Sequence, residues 1–319
     1  MSFTGIMVNT PVEAGEHICT VGSSFRIFSP LVNQNVQASS NYTFENIAKQ
    51  VDIAAMANLD GVYIVLHLDA NQNCALREDL SVVKQVIEYA KEKGLAIAAL
   101  RFFCNLETLT DNASVQNAYV EKCKELIYEL PDAPVAILFN ERRDVVNVSG
   151  NTEYIISAIN DIKSTGVQVG ITWTRTGISE AIKSCKDVIQ ACDIVALNMY
   201  PIISTAENLT TFADSVIAWQ LQERCITMLN GIANKIWVTE TGMLPYWECL
   251  MYPAFYNRNK LTDALRDDDA VITYHYGFFE NLTMRSRIAQ CGMWFLEHTM
   301  TDRPLKFLAK YTYKEETES

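Results

Sequence analysis

The sequence predicts an α/β protein, a single (β/α)8 (TIM) barrel, on three observations. Short apolar runs rich in β-branched and aromatic residues alternate with longer stretches of helical periodicity along the whole chain. Eight such pairs fit into the 319 residues, and a barrel of this type takes roughly 250 or more. No GxGxxG follows the first run, which removes the nucleotide-binding form of the doubly wound open sheet, the other architecture that alternates in this way.

The elements follow in order. After an irregular lead-in over 1–22, Phe25 to Phe28 (FRIF) reads as the first strand, stopped by Ser29-Pro30. Residues 43–58 carry apolar positions at helical spacing behind Thr43, a suitable N-cap. Gly61 to Leu68 (GVYIVLHL) is the second strand, and 78–93 is its helix, capped by Gly94. Leu95 to Phe103 (LAIAALRFF) is the third, followed by a helix over 112–130. Pro131 and Pro134 bracket the turn into the fourth strand, the run VAILF that begins at Val135. A helix over 152–165 stops at Gly166, Val167 to Trp173 (VQVGITW) is the fifth strand, and 178–191 is again helical. Asp193 to Tyr200, stopped by Pro201, is the sixth, and a long helix over 206–232 leads to the seventh, Ile236 to Gly242 (IWVTETG). A helix over 261–286 and an eighth strand, Gly292 to Leu296 (GMWFL), precede a polar tail over 305–319. With no linker or low-complexity segment, the expectation is one domain over 1–319.

Composition narrows the function. A formal charge of −12 at pH 7 argues against nucleic acid as a partner, because phosphate binding needs a basic surface. No apolar run approaches the length of a membrane span, and the N-terminus lacks a basic n-region and an apolar h-region. A cytoplasmic protein without a membrane role is therefore expected, unless it is released by a route that uses no signal. Nine cysteines stand without any CxxC, and four histidines without any HExxH or HxH, so reduced core thiols and no bound metal or other cofactor are expected. Nothing in the sequence specifies an oligomeric state.

In a barrel, residues at the C-terminal strand ends converge on one mouth. The first three strands bring Arg26, then His67 and Asp69, then Arg101 and Phe103. The fourth ends on Asn140-Glu141, the fifth on Trp173 and Arg175, and the sixth on Asn198 and Tyr200. The seventh ends on Glu240, and the eighth brings Trp294 and Glu297. An ionised glutamate closing an apolar strand must be paired, protonated or employed, and here two strands three places apart in the ring each deliver one. If their carboxyls stand about 5 Å apart, one attacks an anomeric carbon while the other protonates the leaving oxygen. Arg26 and Tyr200 are the candidates for holding Glu240 ionised, with Phe139 and Trp173 helping to keep Glu141 protonated. The aromatic segment from Leu244 to Tyr256 (LPYWECLMYPAFY) follows the seventh strand, and Trp247, Tyr246 and Tyr252 are its candidates for stacking on sugar faces.

Taken together, Asn-Glu on strand four, Tyr200-Pro201 on strand six, Glu240 on strand seven and Trp294 on strand eight resemble clan A of the glycoside hydrolases. That clan includes family 5, 17 and 53 enzymes. The resemblance implies Glu141 as acid/base, Glu240 as nucleophile and Asn140 as donor to the sugar 2-hydroxyl. It also implies Tyr200 as hydrogen-bond partner of the nucleophile and Trp294 as the platform under the reacting sugar. The chain departs from the family 5 pattern in carrying Asn198 shortly before the tyrosine, and Arg101 and Phe103 on strand three, where that family has histidines. The expected activity is retaining hydrolysis of β-glycosidic bonds in an oligo- or polysaccharide, with carbohydrate as the partner. The rival from another class is a barrel that binds saccharide without cleaving it, as an adhesin-like or virion module. A metal-dependent isomerase or aldolase ranks last, because no strand end offers a lysine or a cluster of ligands.

Overall fold

The computed structural model describes residues 26–31, 42–104, 112–139, 151–199, 224–241 and 290–293. The lead-in over 1–22, the helix expected over 261–286 and the tail over 305–319 lie outside these residues. Nine strands form one sheet: β1 (Arg26–Leu31), β2 (Gly61–Asp69), β3 (Ala75–Leu76), β4 (Ala96–Cys104), β5 (Val135–Leu138), β6 (Gln168–Thr174), β7 (Ile194–Asn198), β8 (Ile236–Thr241) and β9 (Gln290–Met293). The order is β1-β9-β8-β7-β6-β5-β4-β2-β3, and β1 also pairs with β2. Eight parallel strands therefore close into a ring, while β3 hangs on β2 as a two-residue antiparallel strand. This is the expected barrel.

Helices fill the connections: α1 (Phe44–Met56), α2 (Leu80–Glu92), α3 (Ala113–Glu129), α4 (Asn151–Lys163), α5 (Arg175–Ser184) and α6 (Lys186–Ala191). Their starts obey local chemistry, with Thr43 capping the Asn46 N–H, Asp79 that of Ser81 and Asn112 those of Ser114 and Val115. Their faces obey the helical period. In α2 the buried residues are Val83, Val86, Ile87 and Ala90, a stripe laid against the sheet. Each of its larger members contributes about 1.5–3 kcal/mol of burial. The chain leaves α2 through Gly94, one residue past the Lys93 cap, at φ +79, and leaves α4 through Gly166 at φ +93.

Two expected boundaries differ. β1 continues through Pro30, which pairs with Tyr63 of β2. The helix expected over 178–191 begins at Arg175 and is divided at Cys185, which at φ −140 and ψ 47 ends α5 and starts α6. Gly177, which reads as a loop residue, instead gives its N–H to the Thr174 cap.

The core has two shells. Tyr63, Ala99, Ile137, Ile194, Ala196 and Trp237 belong to a cluster drawn from strands alone, which fills the inside of the ring. Val62, Leu100, Leu138, Ile171, Leu197 and Val238 belong to the larger cluster shared with the helices. Alternation along each strand thus divides lumen from helix layer. Gly61 marks a close approach between β2 and β4. A Cβ on it would stand 2.1 Å from the carbonyl oxygen of Ala96.

Candidate active site

Alternation would send Glu240 the wrong way. On β8, Ile236 and Val238 face the helices and Trp237 faces the lumen, so a regular strand would turn residue 240 outward. An extra residue corrects this. Leu197 of β7 pairs with Val238, yet the next residue, Asn198, pairs with Glu240. On the other flank Cys291 pairs with Val238 and Met293 with Thr241. Both neighbours therefore see one surplus residue between Val238 and Thr241, a β-bulge that re-aims the strand end. Within it the Thr239 hydroxyl donates to the Leu197 carbonyl (3.3 Å) and lies 2.9 Å from Asn198 Oδ1. The Met199 N–H donates to the Glu240 carbonyl at 2.8 Å.

Turned inward, Glu240 meets Arg101. Nη2 of Arg101 lies 2.5 Å from Glu240 Oε1, with side-chain exposures of 0% and 5%. In the ring, β4 and β8 stand four places apart in either direction, so this ion pair spans the barrel. A carboxylate and a guanidinium this deeply buried are tolerable only because they face each other. The Arg101 guanidinium also lies 5.1 Å from the centre of the Phe103 ring, two residues further toward the mouth.

A second buried pair stands beside it. His67, on the lumen face of β2, packs edge-on against Phe103, with ring centres 5.3 Å apart. Its Nδ1 lies 2.6 Å from Glu78 Oε1, and its backbone N–H donates to Glu78 Oε2 at 2.8 Å. Glu78 arrives from the turn that follows β3, where the Arg77 N–H donates to the His67 carbonyl. Burial, and then the charge of Glu78, push the Tyr42 hydroxyl well above its ordinary pKa.

The expected residues distribute as follows. Glu240 and Asn198 are neighbours at the lumen end of β7 and β8, both buried. Arg26 opens β1, where its backbone alone is described; among the described side chains, Arg101 is a cation beside Glu240. Trp173 lies on the other face of its strand. It pairs with Leu197 and is fully buried in the helix layer, while Thr172 takes the lumen side beside Ala196. Phe139 is likewise turned away from the lumen: at φ +51 the chain leaves β5, and the ring stacks on Tyr119 of α3 at 5.0 Å. Its N–H donates to the Tyr119 hydroxyl at 3.3 Å. Asn140, Glu141, Tyr200, Tyr246, Trp247, Tyr252 and Trp294 lie outside the described residues. Reasoning from sequence undervalued Arg101 and Glu78. The signal for Arg101 was there, since one arginine inside LAIAALRFF needs a buried partner.

No protein-family model matches the sequence, and no curated protein does. Solved structures do match. A GH113 β-1,4-mannanase superposes with a TM-score of 0.63 at 13% identity, over 91% of this chain and 99% of that one. The exo-β-1,4-mannosidase Op5Man5 from Opitutaceae bacterium strain TAV5 gives 0.63 at 10% identity, over 90% and 59% of the two chains. A GH5_18 protein from Streptomyces cattleya in complex with GlcNAc gives 0.61 at 12%, over 91% and 79%. The fold is the (β/α)8 barrel that these glycoside hydrolases share. In this barrel, the glutamate on the seventh barrel strand is fastened to an arginine on the third. Among the described residues, no group of three or more His, Cys, Asp or Glu side chains is arranged to hold a metal ion.

Proposed function

We propose that the chain is a retaining glycoside hydrolase that cleaves β-glycosidic bonds by double displacement, with Glu240 as nucleophile and Glu141 as acid/base. The observation that carries this reading is the bulge in β8, which turns Glu240 into the lumen, where Arg101 meets it. A strand does not bury a carboxylate in its barrel without a compensating charge, and Arg101 also fixes the orientation of the group through Oε1.

In the reaction, the Glu240 carboxylate attacks the anomeric carbon as the glycosidic C–O bond breaks, and Glu141 gives its proton to the leaving oxygen. Water then attacks the glycosyl ester, Glu141 takes its proton, and Glu240 is released with the configuration retained. Two carboxyls suffice for this chemistry without a metal or cofactor. Asn198 beside the nucleophile, with Asn140, Tyr200, Trp294 and Trp247, would bind the sugar. The mannanase and mannosidase among the structural neighbours make β-mannosides the first substrates to try.

The test uses aryl β-glycosides and β-linked oligosaccharides with wild type, Glu240→Gly and Glu141→Gly, folding being checked by circular dichroism. Glu240→Gly should fall to background, and azide should rescue it with formation of the α-glycosyl azide. Glu141→Gly should lose on the order of 10²–10⁴-fold, least for good leaving groups. A Glu240→Gly protein that retains wild-type kcat/KM would sink the proposal. Saccharides that bind yet are never cleaved would favour the non-catalytic barrel.

A further inference from the structure

We infer that His67, held by Glu78, is a substrate-positioning residue that reads one hydroxyl of the sugar seated on Glu240. The inference rests on the hydrolase reading above, and concerns a residue pair to which that reading gives no role.

The placement comes first. His67 faces the lumen near the C-terminal end of β2, in register with Phe103, while Arg101 lies one inward-facing position deeper, opposite Val65. The side chains form a continuous file: Glu240 on Arg101 at 2.5 Å, Arg101 over Phe103 at 5.1 Å, and Phe103 against the His67 ring at 5.3 Å. His67 therefore stands on the side wall above the ion pair, at the end of the barrel where substrates enter.

The tether comes second. Glu78 gives one oxygen to the His67 backbone N–H and the other to Nδ1. A carboxylate accepting from both fixes Nδ1 as a protonated nitrogen, which leaves Nε2 as the edge with a free choice of partner. Among the described residues no hydrogen bond engages Nε2. A histidine required only for packing does not need a buried glutamate to set its ring. One that must present Nε2 in a fixed direction does, in the way that carboxylates orient metal-bound or catalytic imidazoles. A sugar hydroxyl, both donor and acceptor, is the chemistry that suits this edge.

The experiment measures kcat/KM on an aryl β-glycoside that the wild type cleaves, and on its four monodeoxy forms lacking the 2-, 3-, 4- or 6-hydroxyl. The wild type should lose about 10-fold on one of the four beyond the general effect, the scale of one hydrogen bond. In His67→Ala that particular penalty should vanish, and in Glu78→Ala it should shrink although the imidazole remains. His67→Gln, which keeps a polar group of similar reach, should recover part of it and guards against a misfolded alanine variant. A purely structural role would depress all five substrates alike. If His67→Ala and His67→Gln keep the wild-type ranking of the four deoxy substrates, the inference is overturned while the hydrolase reading stands. If the wild type cleaves no β-glycoside at all, both fall.

Discussion

Arg101 is the residue whose removal the structure answers most sharply. Its side chain is fully buried, and its partner Glu240 is 5% exposed, 2.5 Å away. Arg101→Met keeps most of the stem's bulk but removes the guanidinium charge that faces the Glu240 carboxylate in the lumen. Breaking a buried pair from one side costs about 3–5 kcal/mol, and the lost contact with the Phe103 ring adds about 0.5–2 kcal/mol. The double variant Arg101→Met/Glu240→Leu removes both charges and should return close to wild-type stability or exceed it, because replacing a buried pair with apolar groups is often neutral or stabilising. Urea unfolding of wild type, both single variants and the double variant closes the cycle, which should give a coupling of several kcal/mol. A cost below about 1 kcal/mol for Arg101→Met, or a double variant no more stable than Arg101→Met, would show that the two charges are not a tightly coupled buried pair.

Three further outcomes follow from local geometry. Gly61→Ala should destabilise by about 1–3 kcal/mol, since the new Cβ would meet the Ala96 carbonyl, which is backbone and cannot rotate away; the midpoint of urea unfolding reads it. Thr239→Val should cost about 1 kcal/mol by removing the hydroxyl that bonds Leu197 and Asn198, and should lower kcat more than it raises KM because the bulge aims Glu240. Hydrogen bonds from the Ser81 hydroxyl and N–H hold the Asp79 carboxyl below its ordinary value of 3.8. A lowered folded pKa adds stability above the unfolded value and loses it as pH falls through the folded one. Asp79→Asn keeps a cap but does not titrate, so the stability advantage of wild type over it should shrink between about pH 5 and pH 3.

How much of this was legible depended on what each residue's signal was made of. Strands β2, β4 and β7 are largely apolar runs, interrupted only near their C-terminal ends by residues such as His67, Arg101 and Asn198, and such runs announce buried parallel strands. The same continuity conceals which face a residue takes. The run VQVGITW is the exception: Val167, Val169, Ile171 and Trp173 alternate with Gln168, Gly170 and Thr172, so the letters do set Trp173 apart on the apolar, helix-facing side, and its place at a strand end outweighed that signal. The caps at Thr43 and Asn112 were readable because they are local. The break at Cys185 was not, since neither glycine nor proline marks it. Glu240 declared itself by closing an apolar strand. Its partner could not be chosen from sequence, because Arg101 is 139 residues away and reaches across the ring. Glu78 reads as an ordinary first-turn acid ahead of α2, and only the fold-back of β3 carries it to His67.

The surplus residue in β8 gives that strand something like a reading frame. Substitutions between Ile236 and Val238 leave the direction of Glu240 untouched, whereas deleting or inserting one residue there would exchange inside for outside for everything downstream. A change of two would restore the sense. Among relatives of this chain, therefore, length differences just ahead of the glutamate should come in even steps, or be accompanied by loss of the bulge itself.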